Sequence, residues 1–122
     1  MQKLEGTTIK LNRGDVLKMS LSIDMNDGSK YQFKAGDKVV FSIYDKGKMS
    51  NEAVLIKVIE PTQLSEYINI ELSNEETKLG SYINKPVEYW YEIELNDEYT
   101  VIGYDEDGAK KLMLYPEGNK DE

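Results

Sequence analysis

The stretch from Pro86 to Leu95 constrains the fold of this 122-residue chain more than any other segment. Its apolar residues recur at every second position, and glutamates occupy most of the positions between them. The apolar set is Val87, Tyr89, Tyr91, Ile93 and Leu95. Because side chains alternate between the two faces of a strand, this pattern predicts a half-buried β-strand. Trp90 is the exception, since it lies among the glutamates on the outward face.

Shorter runs with the same alternation predict further strands. They are Val16–Asp24, Lys38–Tyr44 and Tyr67–Leu72, and turn residues separate them. Ala53–Ile59 is apolar at both sets of positions, which predicts a central or otherwise well-covered strand.

Two connections near the C-terminal half also carry clear signals. Glu98–Tyr104 and Ala109–Tyr115 flank Asp105–Gly108, a sequence that favours a tight turn, so we expect a hairpin there. Ser73 can cap a helix that Glu76 supports by reaching back, and Gly80 can end it. We therefore expect one short helix crossing between two β-layers.

Together these elements indicate an all-β fold of about seven to nine short strands, arranged as an antiparallel sandwich or barrel. The sandwich is favoured because most strands show one polar face. The sequence shows no linker and no internal repeat, so we expect a single domain over residues 1–122. Its core should span about residues 7–116, followed by a frayed tail at 117–122.

Composition excludes several classes of function. The chain has no cysteine and no histidine, which rules out serine–histidine and cysteine–histidine catalysis. We predict no catalytic residue, no metal site and no cofactor. A net charge of −8 and a single arginine, Arg13, argue against a nucleic-acid partner. No apolar run approaches the roughly 20 residues of a membrane span, and the N-terminus lacks the apolar segment of a secretory signal.

Four motifs suggest chemistry but are better explained as ordinary structure. Asp24–Gly28 and Asp105–Gly108 contain clustered acids, yet their glycines do not fall where a calcium loop needs one, so both predict turns. The glutamates beside Trp90 would need a deep cleft to hydrolyse glycosides, and a solvated strand face is the simpler interpretation. Arg13-Gly14-Asp15, the tripeptide that integrins bind, is expected to form a turn.

Aromatic residues concentrate in the C-terminal third of the chain. Tyr89 and Tyr91 share the apolar face of their strand and are expected in the core. Tyrosine and tryptophan also suit interfaces, because they combine a large apolar area with a polar group. We predict a protein interface, with Trp90 and Tyr104 as its main anchors; the predicted set is Trp90, Tyr104, Tyr99 and Tyr115. The alternative for Trp90 is cover by a loop or by the final hairpin.

Several motifs, taken in order, carry a family resemblance. They are Leu11–Val16 (LNRGDV), Asp24–Ser29 (DMNDGS), Val39–Tyr44 (VVFSIY), Leu79–Tyr82 (LGSY) and Glu88–Leu95 (EYWYEIEL). The chain resembles, over about residues 9–115, the N-terminal domain of phage baseplate upper proteins, which occur in tailed phages and prophages of Gram-positive bacteria.

The resemblance implies an Ig-like β-sandwich and a structural role in the virion. Such a protein would be made in the host cytoplasm and would join other tail or baseplate proteins, or copies of itself, without catalysis. The alternative function is a carbohydrate- or cell-surface-binding sandwich. That alternative needs two or more aromatic side chains on one exposed surface.

Overall fold

The fold is described by a computed structural model over residues 2–117, apart from the side chains of Lys3 and Glu5. The described residues form nine strands and no helix. The strands are β1 (Gln2–Glu5), β2 (Thr8–Asn12), β3 (Leu17–Leu21), β4 (Val39–Asp45), β5 (Leu55–Ile59), β6 (Ile68–Leu72), β7 (Val87–Leu95), β8 (Tyr99–Ile102) and β9 (Lys110–Tyr115).

Strand β7 is the centre of the larger sheet, as its length and pattern predict. That sheet has seven strands in the order β1-β2-β9-β7-β4-β5, with β8 paired to one end of β7. Strand β4 lies along one side of β7, while β9 and β8 divide the other side between them. The side chains of Tyr89, Tyr91, Ile93 and Leu95 are buried, which confirms the predicted inward face.

A second sheet of two strands, β3 and β6, supplies the other layer of the core. Its inward residues join one hydrophobic cluster with the inward residues of the larger sheet. Within this cluster the Phe41 and Tyr91 rings meet edge to face, with centroids 5.5 Å apart. The fold is therefore all-β and sandwich-like, as expected.

The expectation of a purely antiparallel fold is wrong at one pairing. Strands β2 and β9 run parallel, with Ile9 opposite Leu112 and Leu11 opposite Leu114. Alternation along a strand reports which face is buried but not which way its neighbour runs, so the sequence could not show this.

The short helix is also not formed, although its capping contacts are present. The Glu76 amide donates to Ser73 Oγ at 3.2 Å, and the Ser73 amide donates to Glu76 Oε1 at 2.9 Å. The segment makes a single turn over residues 74–77, and Gly80, with a φ of +65°, follows three residues later. One turn fixes several residues for very few backbone hydrogen bonds, so it does not propagate into a helix.

Strand β8 does not form the predicted hairpin with β9. Asp105 and Gly108 do make the tight turn, through reciprocal backbone hydrogen bonds of 3.2 and 2.9 Å. The flanking strands then separate, since β8 pairs with the Ile93–Leu95 end of β7 and β9 with the Val87–Tyr91 end. A central strand longer than its neighbours can accept two partners along one side.

Strand β5 is an edge strand, so the prediction of a well-covered strand over Ala53–Ile59 is wrong. Among the strands of the described residues, it pairs only with β4. Leu55 and Ile59 pack against the core, whereas the side chains of Ile56 and Val58 are 57% and 49% exposed. Apolar residues on both faces of this strand therefore do not mean that both faces are buried.

The two ends of the domain extend beyond the predicted core. Strand β1 pairs with β2 ahead of residue 7, through a turn in which Gly6 has a φ of +61°. Glu117, expected to open the frayed tail, is instead buried and forms an ion pair with Arg13. Residues 118–122 of the predicted tail lie outside the described residues.

Candidate protein-interaction site

The outward face of the larger sheet places Trp90 between two neighbouring strands. Trp90 lies opposite Tyr44 of β4 and opposite Lys111 of β9. Since paired residues share a face, these three side chains form one row across the sheet. Trp90 is half-buried, and its outward position agrees with the sequence pattern.

Trp90 and Tyr104 come together on this face and form what we call the aromatic pair. Their ring centroids are 6.0 Å apart, with the ring planes inclined by 54°. The indole Nε1 donates a hydrogen bond of 2.7 Å to Glu88 Oε2, which fixes the ring orientation. Tyr104 is 63% exposed, so its apolar ring is available to a partner.

The backbone around Gly103 positions Tyr104 against Trp90. A Cβ added at Gly103 would lie 2.5 Å from Cγ2 of Thr100, so any larger residue there would force Thr100 or the backbone to shift. On the other side of Tyr104, Lys110 Nζ donates to Asp105 Oδ1 at 2.7 Å. That hydrogen bond lowers the pKa of Asp105 and supports the following turn.

Acidic side chains border the aromatic pair along β7. Glu92 Oε1 accepts a hydrogen bond of 3.0 Å from the Tyr44 hydroxyl. Burial, together with this carboxylate, raises the pKa of Tyr44. Burial also raises the pKa of Glu94, and repulsion from Glu92 and Asp97 adds to the effect. The surface thus combines aromatic rings with a border of negative charge.

The structure separates the other two predicted interface residues from the aromatic pair. Tyr115 lies on the same sheet face, because it follows Lys111 and Met113 at alternate positions of β9, but it is half-buried. Tyr99 pairs with Leu95, whose side chain faces the core, so Tyr99 belongs to the opposite face from Trp90. Of the three tyrosines, Tyr104 is the one whose ring packs against Trp90.

Tyr99 instead borders a groove on the inner side of β8. The groove has a volume of about 600 Å³ and is partly apolar. It lies between β8 and the loop after β3, and its lining includes Ile23, Met25, Tyr31, Tyr99 and Val101. Asp24 and Asn26 add polar groups at the same place.

Sequence reasoning missed Tyr44 as part of the site. Its outward position follows from the alternation of β4, with Val39, Phe41 and Ile43 buried. What the sequence lacked was the pairing of β4 with β7, which places Tyr44 directly beside Trp90. A site that spans several strands requires the strand order as well as the pattern of each strand.

The motifs interpreted as turns have that structure. Asp24 pairs with Lys30 at 2.6 Å, and Asp105 with Lys110 at 2.7 Å, so one aspartate of each acidic turn is paired with a lysine. Within residues 2–117, no group of three acidic side chains is placed to hold a metal ion. Arg13 is buried in the turn after β2, which leaves its guanidinium out of reach of a receptor.

Comparison with known proteins found no relative of this chain. No protein-family model, curated protein or solved structure matches the chain. No helix in the described part of the chain has the length and apolar character to cross a membrane.

Proposed function

We propose that this protein is a non-enzymatic component of a phage or prophage tail baseplate, where it acts as a protein–protein adaptor in the virion. The ordered motifs from Leu11 to Leu95 support this role through their resemblance to the N-terminal domain of baseplate upper proteins. An adaptor needs a rigid body and an exposed anchor rather than a reactive group. The chain supplies both without cysteine or histidine.

We further propose that the sandwich is Ig-like. Ig domains place strands G, F, C and C′ in one sheet and strands B and E in the other. The order β9-β7-β4-β5 corresponds to G-F-C-C′, and the pair β3-β6 corresponds to B and E. The chain order of these strands agrees with the same assignment.

The observation that carries the adaptor proposal is the aromatic pair itself, in which Tyr104 is exposed and Trp90 half-buried. Residues that dominate binding at interfaces are enriched in tryptophan and tyrosine, and they lie in patches that lose water on binding. Trp90 is held in one orientation by Glu88, and Tyr104 stands beside it with most of its surface exposed. A partner that covers both rings would bury a preformed apolar surface.

The virion location can be tested by immunogold electron microscopy. Antibodies raised against this chain should label the tail tip of particles released when prophages of the source organism are induced. Particles that carry no label at the tail, from a culture in which the chain is expressed, would contradict the proposal.

The adaptor mechanism can be tested separately by affinity capture from the same culture. The tagged chain should recover tail proteins, and Trp90→Ala or Tyr104→Ala should reduce that recovery by at least about tenfold. Tyr82→Ala is the matched control, because Tyr82 is 62% exposed and lies in the connection before β7. Equal recovery with all variants would exclude the aromatic pair as the anchor.

The second candidate function is binding of carbohydrate. It is favoured by the same aromatic pair, because two aromatic rings on one exposed surface meet the requirement stated for a sugar platform. The groove beside Tyr99 offers a second place with aromatic and polar lining. A glycan array distinguishes the two functions, since the adaptor role predicts no specific glycan signal.

A further inference from the structure

Strand β5 is an open sheet edge with apolar residues on its outward face. Within residues 2–117, no strand pairs with the side of β5 that faces away from β4. The outward side chains Ile56 and Val58 are 57% and 49% exposed, and Val54, just before the strand, is 43% exposed. An edge of this kind presents unpaired N–H and C=O groups beside apolar side chains, which favours pairing with another strand.

The features that usually protect an edge strand are weak in β5. Pro61 follows the strand and interrupts none of its five residues. Lys57 is the single charged residue within it, and a charge in such a position normally discourages pairing. Here both carboxylate oxygens of Glu76 bind Lys57 Nζ at 3.1 Å, so this charge is neutralised within the chain.

We propose that β5 pairs antiparallel with β5 of a second copy of this chain, joining the two larger sheets into one. In a two-fold pairing centred on Lys57, Ile56 of each copy lies opposite Val58 of the other. The four side chains form one apolar patch on the outward face, and Val40, which pairs with Val58, extends it on each side. On the other face the two Lys57 side chains meet, each already bound by its own Glu76.

The strand is nearly symmetric about Lys57, with two apolar residues on each side, so it is complementary to a second copy of itself, and its charges do not oppose the pairing. The strand carries no acidic residue, so the acidic groups that give the chain its net charge of −8 lie outside the paired edge. The two Lys57 side chains face each other across the two-fold axis, and the Glu76 carboxylate bound to each of them offsets their mutual repulsion. The remaining long-range repulsion between copies is screened by salt, so association should strengthen as ionic strength rises.

Pairing over five residues is short compared with a stable interface. Interfaces well below about 1,200 Å² belong to weak or transient complexes, so we expect a dissociation constant roughly between micromolar and millimolar. Incorporation into a baseplate would raise the local concentration of the chain and favour the β5–β5 dimer. The inference deepens the proposed adaptor role by naming one partner, but the edge lies on β5 and does not use the aromatic pair.

The experiment is sedimentation equilibrium of the full chain at concentrations up to about 1 mM, a range set by the expected weak affinity. The mass should rise from 14.0 kDa toward twice that value as concentration increases. Val58→Lys should raise the dissociation constant by at least about tenfold, because two lysines per dimer replace apolar contacts. Met25→Lys is the matched control, since Met25 is 45% exposed and lies outside β5.

Each result of this experiment either supports the proposal or overturns it. A mass of 14.0 kDa at every concentration would exclude the second copy as the occupant. A dimer that Val58→Lys leaves intact would exclude the β5 edge. A dimer lost in Trp90→Ala but kept in Val58→Lys would assign self-association to the aromatic pair, whereas the β5 pairing predicts that Trp90→Ala leaves the dimer unchanged.

Discussion

The buried ion pair between Arg13 and Glu117 is expected to contribute strongly to the stability of the domain. Arg13 Nη1 donates to Glu117 Oε1 at 2.5 Å, and both side chains are almost completely buried. The same guanidinium donates to the carbonyl oxygens of Leu79 and Gly80 at 3.2 and 3.1 Å. Arg13 therefore ties the end of β2 to the turn before β7 and to the segment after β9.

Arg13→Met should lower the free energy of unfolding by about 3–5 kcal/mol, because it removes the guanidinium that is paired with a buried carboxylate. The methionine fills a similar space, so the loss reports the charge and hydrogen bonds more than the packing. Glu117→Leu should also destabilise the chain, since it removes the carboxylate that is paired with the buried guanidinium. The double variant should lose less free energy of unfolding than the two single variants added together. Its remaining loss should be about 1–3 kcal/mol, because the Leu79 and Gly80 carbonyls no longer accept hydrogen bonds from Arg13.

Urea unfolding monitored by circular dichroism measures these differences. The midpoint should fall while the slope stays unchanged, because the fold and its exposed area are the same. Lys85→Met is the control, since Lys85 is exposed and the substitution removes the same charge. A loss below about 1 kcal/mol for Arg13→Met would refute the reasoning, because a buried pair cannot be broken at so small a cost.

Three further substitutions test other parts of the structure. Trp90→Ala should lower the free energy of unfolding by only about 0.5–2 kcal/mol, because it removes one hydrogen bond and a ring contact on the outward face. Thermal unfolding measures this loss; a value of about 3–5 kcal/mol, typical of core positions, would show that Trp90 is a core residue. Gly103→Ala should cost about 1–3 kcal/mol through the clash with Thr100 Cγ2, and Thr100→Ser in the same chain should recover much of it in urea unfolding. Burial opposes ionisation of Asp37, but hydrogen bonds from Asn96 and Tyr31 hold its pKa below the usual value. The ionised Asp37 carboxylate should therefore contribute to folding stability above about pH 4, and this contribution should be lost as pH falls through the folded-state pKa. The stability of Asp37→Asn should depend less on pH between about 3 and 7.

Alternation of apolar and polar residues was sufficient to predict the main strands and their buried faces. Residues 87–95 alternate over nine positions, and side chains on one face of a strand share one environment, so the inward face could be assigned from the sequence. The same reasoning placed Trp90 on the outward face and Tyr89 and Tyr91 in the core. These predictions rest on local geometry, which a single chain segment carries by itself.

Pairing between distant segments could not be predicted in the same way. The parallel pairing of β2 with β9 joins residues about a hundred positions apart, and no local pattern encodes it. The capping residues Ser73 and Glu76 were recognised and do form their contacts, yet the chain makes only one turn, over residues 74–77, and does not continue as a helix. A local signal gives the start of an element, whereas its length depends on the space the surrounding fold leaves.

The sequence by itself determined the class of fold, the inward face of β7 and the exclusion of histidine and cysteine chemistry. The tertiary structure decided which outward residues meet: it brought Tyr104 and Tyr44 beside Trp90, left Tyr99 on the other face, and placed β5 at an open edge. The physical reason is that a surface site is built across strands. The order and direction of those strands follow from long-range backbone pairing and from the packing of the whole core.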